Sequence, residues 1–321
     1  MPACAWLAAL AALLAFAGCG ADGSERSVAA TPTRPSASLP PTAASVGGAE
    51  TRSGPCGRAR PGRARYRHVV WIVMENKAYG DIIGSRDAPY LNALARRCGS
   101  ATRFYAKAHP SLPNYIYMTS GSTQGITDDS GPSSHRLGAP SIFSQLGRGW
   151  RALQESMPRN CSTSSSGLYA ARHNPAVYYT RVRDACARQD VPLRNPPNLA
   201  ARFTFITPNL CNDMHSCPST GGKSEQVRTG DRWLSRWIPR ILRSPQYRSG
   251  GTVVFLTWDE DDYSSDQRIP TLVIGPSVRR GLRVSKRFTH ASMLRTTQQL
   301  LGLGPLGDSR GAASMRGPFG L

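Results

Sequence analysis

At 321 residues the chain is long enough for one large α/β domain or two small ones. It carries 40 Lys and Arg against 20 Asp and Glu, a net charge of +20. A surface of that sign steers anionic substrates and can bind anionic lipid or polymer, and it also serves plain solubility. The basic residues are scattered and not interleaved with aromatics, which excludes a nucleic-acid-reading module and leaves no specific nucleic-acid partner.

The first stretch has the chemistry of export. Trp6 to Ala17 is an apolar run of signal-peptide length, too short to cross a membrane as a stable helix. It ends in Phe16-Ala17-Gly18-Cys19, which is similar to a bacterial lipobox with Cys19 as the lipidated residue, an anchor to the outward face of a cell membrane. Phe16 stands where Leu is usual and no Lys or Arg precedes the run, so simple secretion after cleavage near Gly18 is the alternative. Residues 1–19 thus read as a signal peptide. Residues 20–65, rich in Ser, Thr, Pro, Ala and Gly without apolar periodicity, read as a disordered tether. Residues 66–303 read as the folded domain and 304–321 as a loop-rich tail.

Beyond Cys4 and Cys19, the cysteines at 56, 98, 161, 186, 211 and 217 form an even set, which in an exported chain points to disulfides. The closest spacings pair Cys211 with Cys217 and Cys161 with Cys186, leaving Cys56 with Cys98; sequence alone does not fix the connectivity. No Cys-x-x-Cys pair favours a structural zinc cluster.

Residues 68–74 form a continuous apolar, β-branched run, the pattern of a strand buried on both faces. It stops abruptly at Glu75-Asn76-Lys77. Two oxygen donors in succession at a strand's carboxyl end suit a hard divalent cation; a loop with a capping Asn is the plain alternative. Helical spacing follows over 87–98, with Arg96 and Arg97 at the end where the dipole favours cations.

Next comes Ala108-His109-Pro110-Ser111-Leu112-Pro113-Asn114-Tyr115, one hydroxyl between two prolines, ahead of a helix over roughly 114–120. A hydroxyl at a helix N-terminus faces free N–H groups and the positive end of the dipole, a good place to bring a phosphate. Taken alone, the stretch reads equally as an ordinary capping serine.

A short helix over 141–147 leads to a strand over 150–154. His173, beside Asn174-Pro175, has the setting of an ordinary hydrogen-bonded loop histidine. A second buried strand over 202–207 runs into a loop with Asp213 and His215, which Cys211 and Cys217 can lock; a carboxylate and an imidazole held there suit metal or phosphate contacts. Residues 231–243 repeat apolar positions at helical spacing, with Asp231 as the expected cap.

A third buried strand, 252–258, delivers Asp259-Glu260-Asp261-Asp262. Adjacent carboxylates repel unless a cation neutralises them, so a metal site explains this run more economically than a solvated loop. A fourth strand covers 269–274, and an amphipathic helix covers 289–302 with His290 in its first turn. Strands recur with helices between them, and polar residues gather where the strands stop. That is the pattern of a doubly wound α/β domain: a mostly parallel central sheet, helices on both faces, and one site along its carboxyl edge.

Together these motifs resemble the bacterial phosphoesterase family that contains the phosphocholine-type phospholipases C and a related acid phosphatase, within the alkaline-phosphatase-like superfamily. The matching pieces, in order, are Glu75-Asn76-Lys77, His109-Pro110-Ser111-Leu112-Pro113-Asn114, His173-Asn174-Pro175, Asn212-Asp213 with His215, Thr257-Trp258-Asp259-Glu260, and the helix that starts at His290. The resemblance implies a hydrolase of phosphate esters that works through a divalent metal, with calcium, zinc, manganese and magnesium all open. It implies Ser111 as nucleophile, Glu75, Asn76, Asp259 and Glu260 as metal ligands, and His173 and His290 as catalytic. Asp213, His215 and His109 are implied as further metal or phosphate contacts, with individual roles open. Ala78 in place of a hydroxyl residue, and Asp261-Asp262 in place of a Gly-rich stretch, depart from the family pattern and bear on the substrate more than on the chemistry. A sulfuric-ester hydrolase or transferase on the same scaffold, and a non-catalytic lipoprotein that binds anionic polymer or lipid, are the alternative readings.

Overall fold

In the computed structural model, which describes residues 54–321, the chain builds one sheet around the first apolar run. The expected signal peptide, Cys19 and most of the expected tether lie outside the described residues. The strands are β1 (His68–Met74), β2 (Gly99–Tyr105), β3 (Trp150–Gln154), β4 (Asp190–Pro192), β5 (Phe203–Thr207), β6 (Thr252–Trp258), β7 (Arg268–Ile274), β8 (Leu282–Val284) and β9 (Phe288–Thr289). Their order is β4-β3-β5-β1-β6-β7-β2-β8, with β9 beside β2. From β4 to β6 every pairing is parallel; β7 turns antiparallel to β6 and to β2. The mostly parallel α/β sheet read from the sequence is therefore the one observed.

The helices are α1 (Tyr79–Ile82), α2 (Pro89–Arg97), α3 (Ser111–Ser120), α4 (Ile142–Leu146), α5 (Arg183–Gln189), α6 (Lys223–Arg243), α7 (Pro245–Arg248), α8 (His290–Leu301) and α9 (Arg316–Phe319). They pack as two sets, α3 with α4 and α8, and α2 with α6, which continues to α7. Every residue of β6 is buried, so both faces of the sheet's centre are covered, as a parallel sheet requires. Trp71 of β1 shows how one face is fixed: its indole N–H donates to Thr297 of α8 at 3.0 Å, and its ring meets Phe203 edge-on at 4.8 Å.

Several boundaries differ from the sequence reading, each for a physical reason. Asp231 does not cap its own helix, because α6 starts earlier, at Lys223. Its carboxylate instead takes the backbone N–H groups of Tyr90 and Leu91 at 3.0 and 2.9 Å, where α2 has no side-chain cap of its own. The folded body also reaches back past Tyr66, since Cys56 is buried and bonded to Cys98 and the Tyr247 hydroxyl donates to the Pro55 carbonyl. It runs on past Leu303: Met315, Phe319 and Leu321 are buried, and the Met315 N–H donates to Thr296 at 2.8 Å. The tail expected to be loop-rich thus closes part of the core. The disulfides are Cys56–Cys98, Cys161–Cys186 and Cys211–Cys217, the nearest-neighbour pairing.

Candidate active site

The carboxyl ends of β1, β5 and β6 lie side by side, and each discharges into a polar loop. Parallel register puts Met74 opposite Trp258, so Glu75 and Asp259 emerge next to each other. The Asp259 N–H donates to the Met74 carbonyl at 3.0 Å, and the Glu75 N–H to the Asp213 carbonyl at 2.8 Å. Three loops are thereby stitched into one floor.

Ser111 is the first residue of α3, three positions earlier than the sequence suggested, with Pro110 as the flanking cap residue. Pro110 has no N–H to leave unpaired and Pro113 sits in the first turn, where its missing N–H costs nothing. Gly121 ends the helix at φ 77°, and a Cβ there would lie 2.2 Å from the Leu306 carbonyl oxygen, so only glycine fits.

The buried Ser111 hydroxyl donates to Glu75 Oε2 at 3.0 Å, and the Tyr115 hydroxyl, one turn on, donates to Glu75 Oε1. Glu75 is fully buried. Burial first, then the charges of Asp259 and Asp213, push its carboxyl well above the usual range.

His173 lies against both Glu75 and Asp213: its Nε2 is 3.3 Å from Glu75 Oε2 and its Nδ1 is 3.4 Å from Asp213 Oδ2. Neither His173 Nε2 nor Asp213 Oδ2 has a hydrogen-bond partner among the described residues, although both are buried. Burial keeps the ring neutral, with its pKa well below the ordinary value. Ligand atoms of Glu75, His173 and Asp213 all fall within 4.8 Å of one another. Buried polar atoms that face each other unpaired are the arrangement a cation satisfies.

Asp259 and its neighbours form a second group. Asp259 is fully buried; its Oδ1 accepts the Asn76 N–H at 3.1 Å while its Oδ2 has no partner. The Asn76 amide donates to Glu260 Oε1 at 2.9 Å and leaves its own buried Oδ1 unpaired. Burial raises Asp259 to about 6, against the pull of the nearby Ser111 hydroxyl, and raises Glu260 to about 10, with Asp259 adding repulsion. Carboxyls pushed up in this way want positive charge. The residues present therefore fit one or two divalent cations held by carboxylate, amide and imidazole donors.

The four-acid run divides by task. Asp259 and Glu260 face the site. Asp261 braces the loop that follows, accepting the Tyr263 and Ser265 N–H groups at 3.1 and 2.9 Å, and Asp262 pairs with Lys223.

His109 sits at the rim, with Nε2 3.0 Å from Asp261 Oδ1 and its ring stacked 3.7 Å from Tyr263, which is 71 % exposed. His215 is half-buried near His173 and turns Nδ1 toward the Ser216 carbonyl at 3.0 Å. His290 stands apart from this cluster. Its buried Nε2 lies 2.9 Å from the Trp258 carbonyl, which makes that nitrogen the protonated one, and burial lowers its pKa to about 4. It fixes the strand end that carries Asp259; no contact among the described residues brings it to Ser111 or Glu75.

Five residues had no role in the sequence reading. Tyr115 holds Glu75. Asn114 donates to Glu260 Oε2 at 3.1 Å and accepts the Lys107 N–H at 3.0 Å. Lys77 sends its buried ammonium to the carbonyls of Asn76 and Met214 at 2.8 and 2.7 Å. Asp129 sits on the N-terminus of α3, its Oδ1 accepting the Leu112 N–H at 2.9 Å, with Arg172 Nε 3.5 Å from its other oxygen. Lys77, Asn114, Tyr115 and Arg172 lie in or beside the motifs and were available as signals; Asp129 had none, because only the fold brings it to α3.

The chain is similar to known proteins. A profile described as "Phosphoesterase family" matches residues 85–304. A protein named phosphatidylinositol-3-phosphatase from Mycobacterium tuberculosis is 32 % identical over 253 residues, covering 77 % of this chain and 81 % of its own length. An acid phosphatase from Aspergillus fumigatus is 28 % identical over 264 residues, 74 % of this chain but only 55 % of the fungal protein, so the chain spans about half of that relative. In fold, the chain is similar to a Vibrio parahaemolyticus protein of the alkaline phosphatase superfamily, with a TM-score of 0.53 at 14 % identity over 78 % of this chain and 72 % of the other. The matched span takes in α2 to α8, and with it Ser111, His173 and Asp259. The chain belongs to the Phosphoesterase family and is a phosphoric ester hydrolase.

Proposed function

We propose that the protein is an exported, metal-dependent phosphomonoesterase that uses Ser111 as its nucleophile and passes through a phosphoseryl intermediate. The observation that carries this reading is the Ser111 hydroxyl at the head of α3, donating to the buried carboxylate of Glu75 at 3.0 Å. Ser111 Oγ attacks phosphorus as the P–O bond to the leaving group breaks; the serine proton passes along that hydrogen bond to Glu75 Oε2, and water protonates the departing alkoxide to the alcohol. The Leu112 N–H and the Arg172 guanidinium, which both face Asp129 at the head of α3, would serve the phosphoryl oxygens. The Tyr115 hydroxyl keeps the Glu75 carboxylate oriented. Glu75, His173, Asp213, Asn76, Asp259 and Glu260 are the residues that would hold divalent cations, which would supply positive charge beside the nucleophile and the phosphoryl group. Water then cleaves the phosphoserine and releases phosphate.

The names of the relatives favour a monoester over a phosphocholine diester. Export rests on the disulfides and on the apolar run ahead of Cys19, which would also supply a lipid anchor. The test is Ser111→Ala, assayed on a phosphomonoester and on a phosphocholine ester, with metal content measured beside it. Turnover disappears, no phosphoenzyme is trapped on acid quench, and metal content stays unchanged. An alanine variant that still turns over the monoester overturns the assignment.

A further inference from the structure

The sheet is electrically polarised along its strands. Arginines stand ahead of the parallel strands: Arg148 before β3, Arg202 before β5, Arg67 before β1 and Arg248 shortly before β6. Carboxylates stand after them: Glu155, Asp213, Glu75 and Asp259. Because β7 runs antiparallel to β6, its end at Gly275-Pro276 returns to the amino edge. There the Pro276 carbonyl accepts the N–H groups of Arg58 and Ala59, both at 2.8 Å, and the Gly251 carbonyl accepts those of Arg67 and His68 at 2.8 and 3.0 Å.

Three segments therefore form one surface, residues 54–68, 244–252 and 275–281, and none contains an Asp or Glu. Arg63, Arg65 and Arg67 line a single open groove on it, together with Gly251 and Pro276. All three are exposed, and none forms an ion pair among the described residues. A seven-residue strand separates this surface from Glu75, a span of roughly 20 Å at about 3.3 Å per residue. That exceeds the Debye length of about 8 Å at physiological salt, so the acidic edge does not cancel the basic one.

We propose that the amino edge of the sheet is a docking face for an anionic lipid bilayer, and that it holds the Ser111 edge turned away from that bilayer. Charge complementarity supplies the attraction, each arginine near the lipid surface raising affinity roughly fivefold. The occupant is assigned from where the chain enters. Gly54, the first described residue, lies on this face against the Arg280 side chain, and the stretch before it carries the apolar run and Cys19. The chain thus enters the folded body on the arginine face. Docking itself does not depend on Ser111 being the nucleophile; only the outward orientation refers to that site.

The test uses the full chain with Cys19→Ser, so that no lipid anchor contributes, and sediments it with vesicles of phosphatidylcholine alone or mixed with phosphatidylglycerol. The full chain prefers the anionic vesicles, and added salt removes the preference. Replacing Arg63, Arg65 and Arg67 together by Gln lowers affinity for the anionic vesicles roughly a hundredfold, while turnover of a soluble phosphomonoester is unchanged. Vesicle-bound enzyme hydrolyses that soluble ester at the rate of free enzyme. Equal binding to both vesicles, or an undiminished preference in the triple variant, overturns the docking face. Capture by soluble polyphosphate without capture by anionic vesicles reassigns the face to a polymer and overturns the bilayer. Loss of soluble-ester turnover on docking overturns the orientation.

Discussion

Asp129 Oδ1 accepts the backbone N–H of Leu112 at 2.9 Å, so a carboxylate occupies the helix end beside the Ser111 hydroxyl. A phosphoryl group bound at Ser111 needs the same N–H, and it needs Arg172, which also faces Asp129. Substrate and product phosphate therefore compete with a side chain of the protein. Removing that side chain with Asp129→Ala should tighten inhibition by inorganic phosphate by about fivefold, the value of one anion at a helix N-terminus. The inhibition constant measured against a phosphomonoester decides it; weaker inhibition in the variant would mean that Asp129 orients the donors and does not compete for them.

Tyr115 touches Glu75 through its hydroxyl and stacks on His173, with ring centroids 5.4 Å apart. Tyr115→Phe keeps the stacking and deletes only the donor to a fully buried carboxylate. Leaving that acceptor unpaired costs about 1–3 kcal/mol, so kcat should fall roughly ten- to a hundredfold with little change in the folded structure. A kinetic comparison with the near-ultraviolet dichroism of both proteins checks it. An unchanged kcat would remove Tyr115 from the machinery.

His290 is expected to act on stability and not as a proton carrier. Its Nε2–H meets the Trp258 carbonyl, and His290→Ala leaves that buried carbonyl only the long 3.5 Å contact from the Thr257 hydroxyl, at a cost of about 1–3 kcal/mol. Tm should drop while the shape of the pH–kcat profile is retained. Disappearance of one limb of that profile would restore a catalytic role.

Asp190, fully buried behind the Cys161–Cys186 bridge, is pushed up to about 7 by burial, with the Asn174 amide pulling the other way. Its folded pKa lies above the unfolded value, so the folded state binds the proton more tightly. Stability from this group is full at low pH, declines as pH rises through the window between about 4 and 7, and stays lost above it. A shift of that size corresponds to something on the order of 4 kcal/mol. Asp190→Asn should flatten the stability–pH curve across that window and raise stability at neutral pH. Denaturant midpoints across the window, for wild type and variant, supply the check.

The sheet was legible because β1, β5 and β6 are unbroken apolar runs, a signal that survives without tertiary context. β2 was not: Gly-Ser-Ala-Thr-Arg mixes small and charged residues and pairs only because its neighbours supply a partner on each side. At the site, Glu75, Asn76, Asp259 and Glu260 are delivered by strand ends to one edge of the sheet. Asp213 and His173 meet Glu75 as well. Asp129 comes from a loop with no periodicity, and sequence spacing gives no handle on which carboxylate swings onto which helix. Asp231 shows the opposite error: a capping residue does cap, but it caps a neighbouring helix.

Asp213 and His215 lie inside the small ring closed by Cys211–Cys217, with Met214 between them at φ 81° and its carbonyl held by Lys77. The bridge closes this loop on itself, so the Asp213 carboxylate is placed by a covalent tie as well as by the hydrogen bonds that its backbone makes to Asn209 and Glu75.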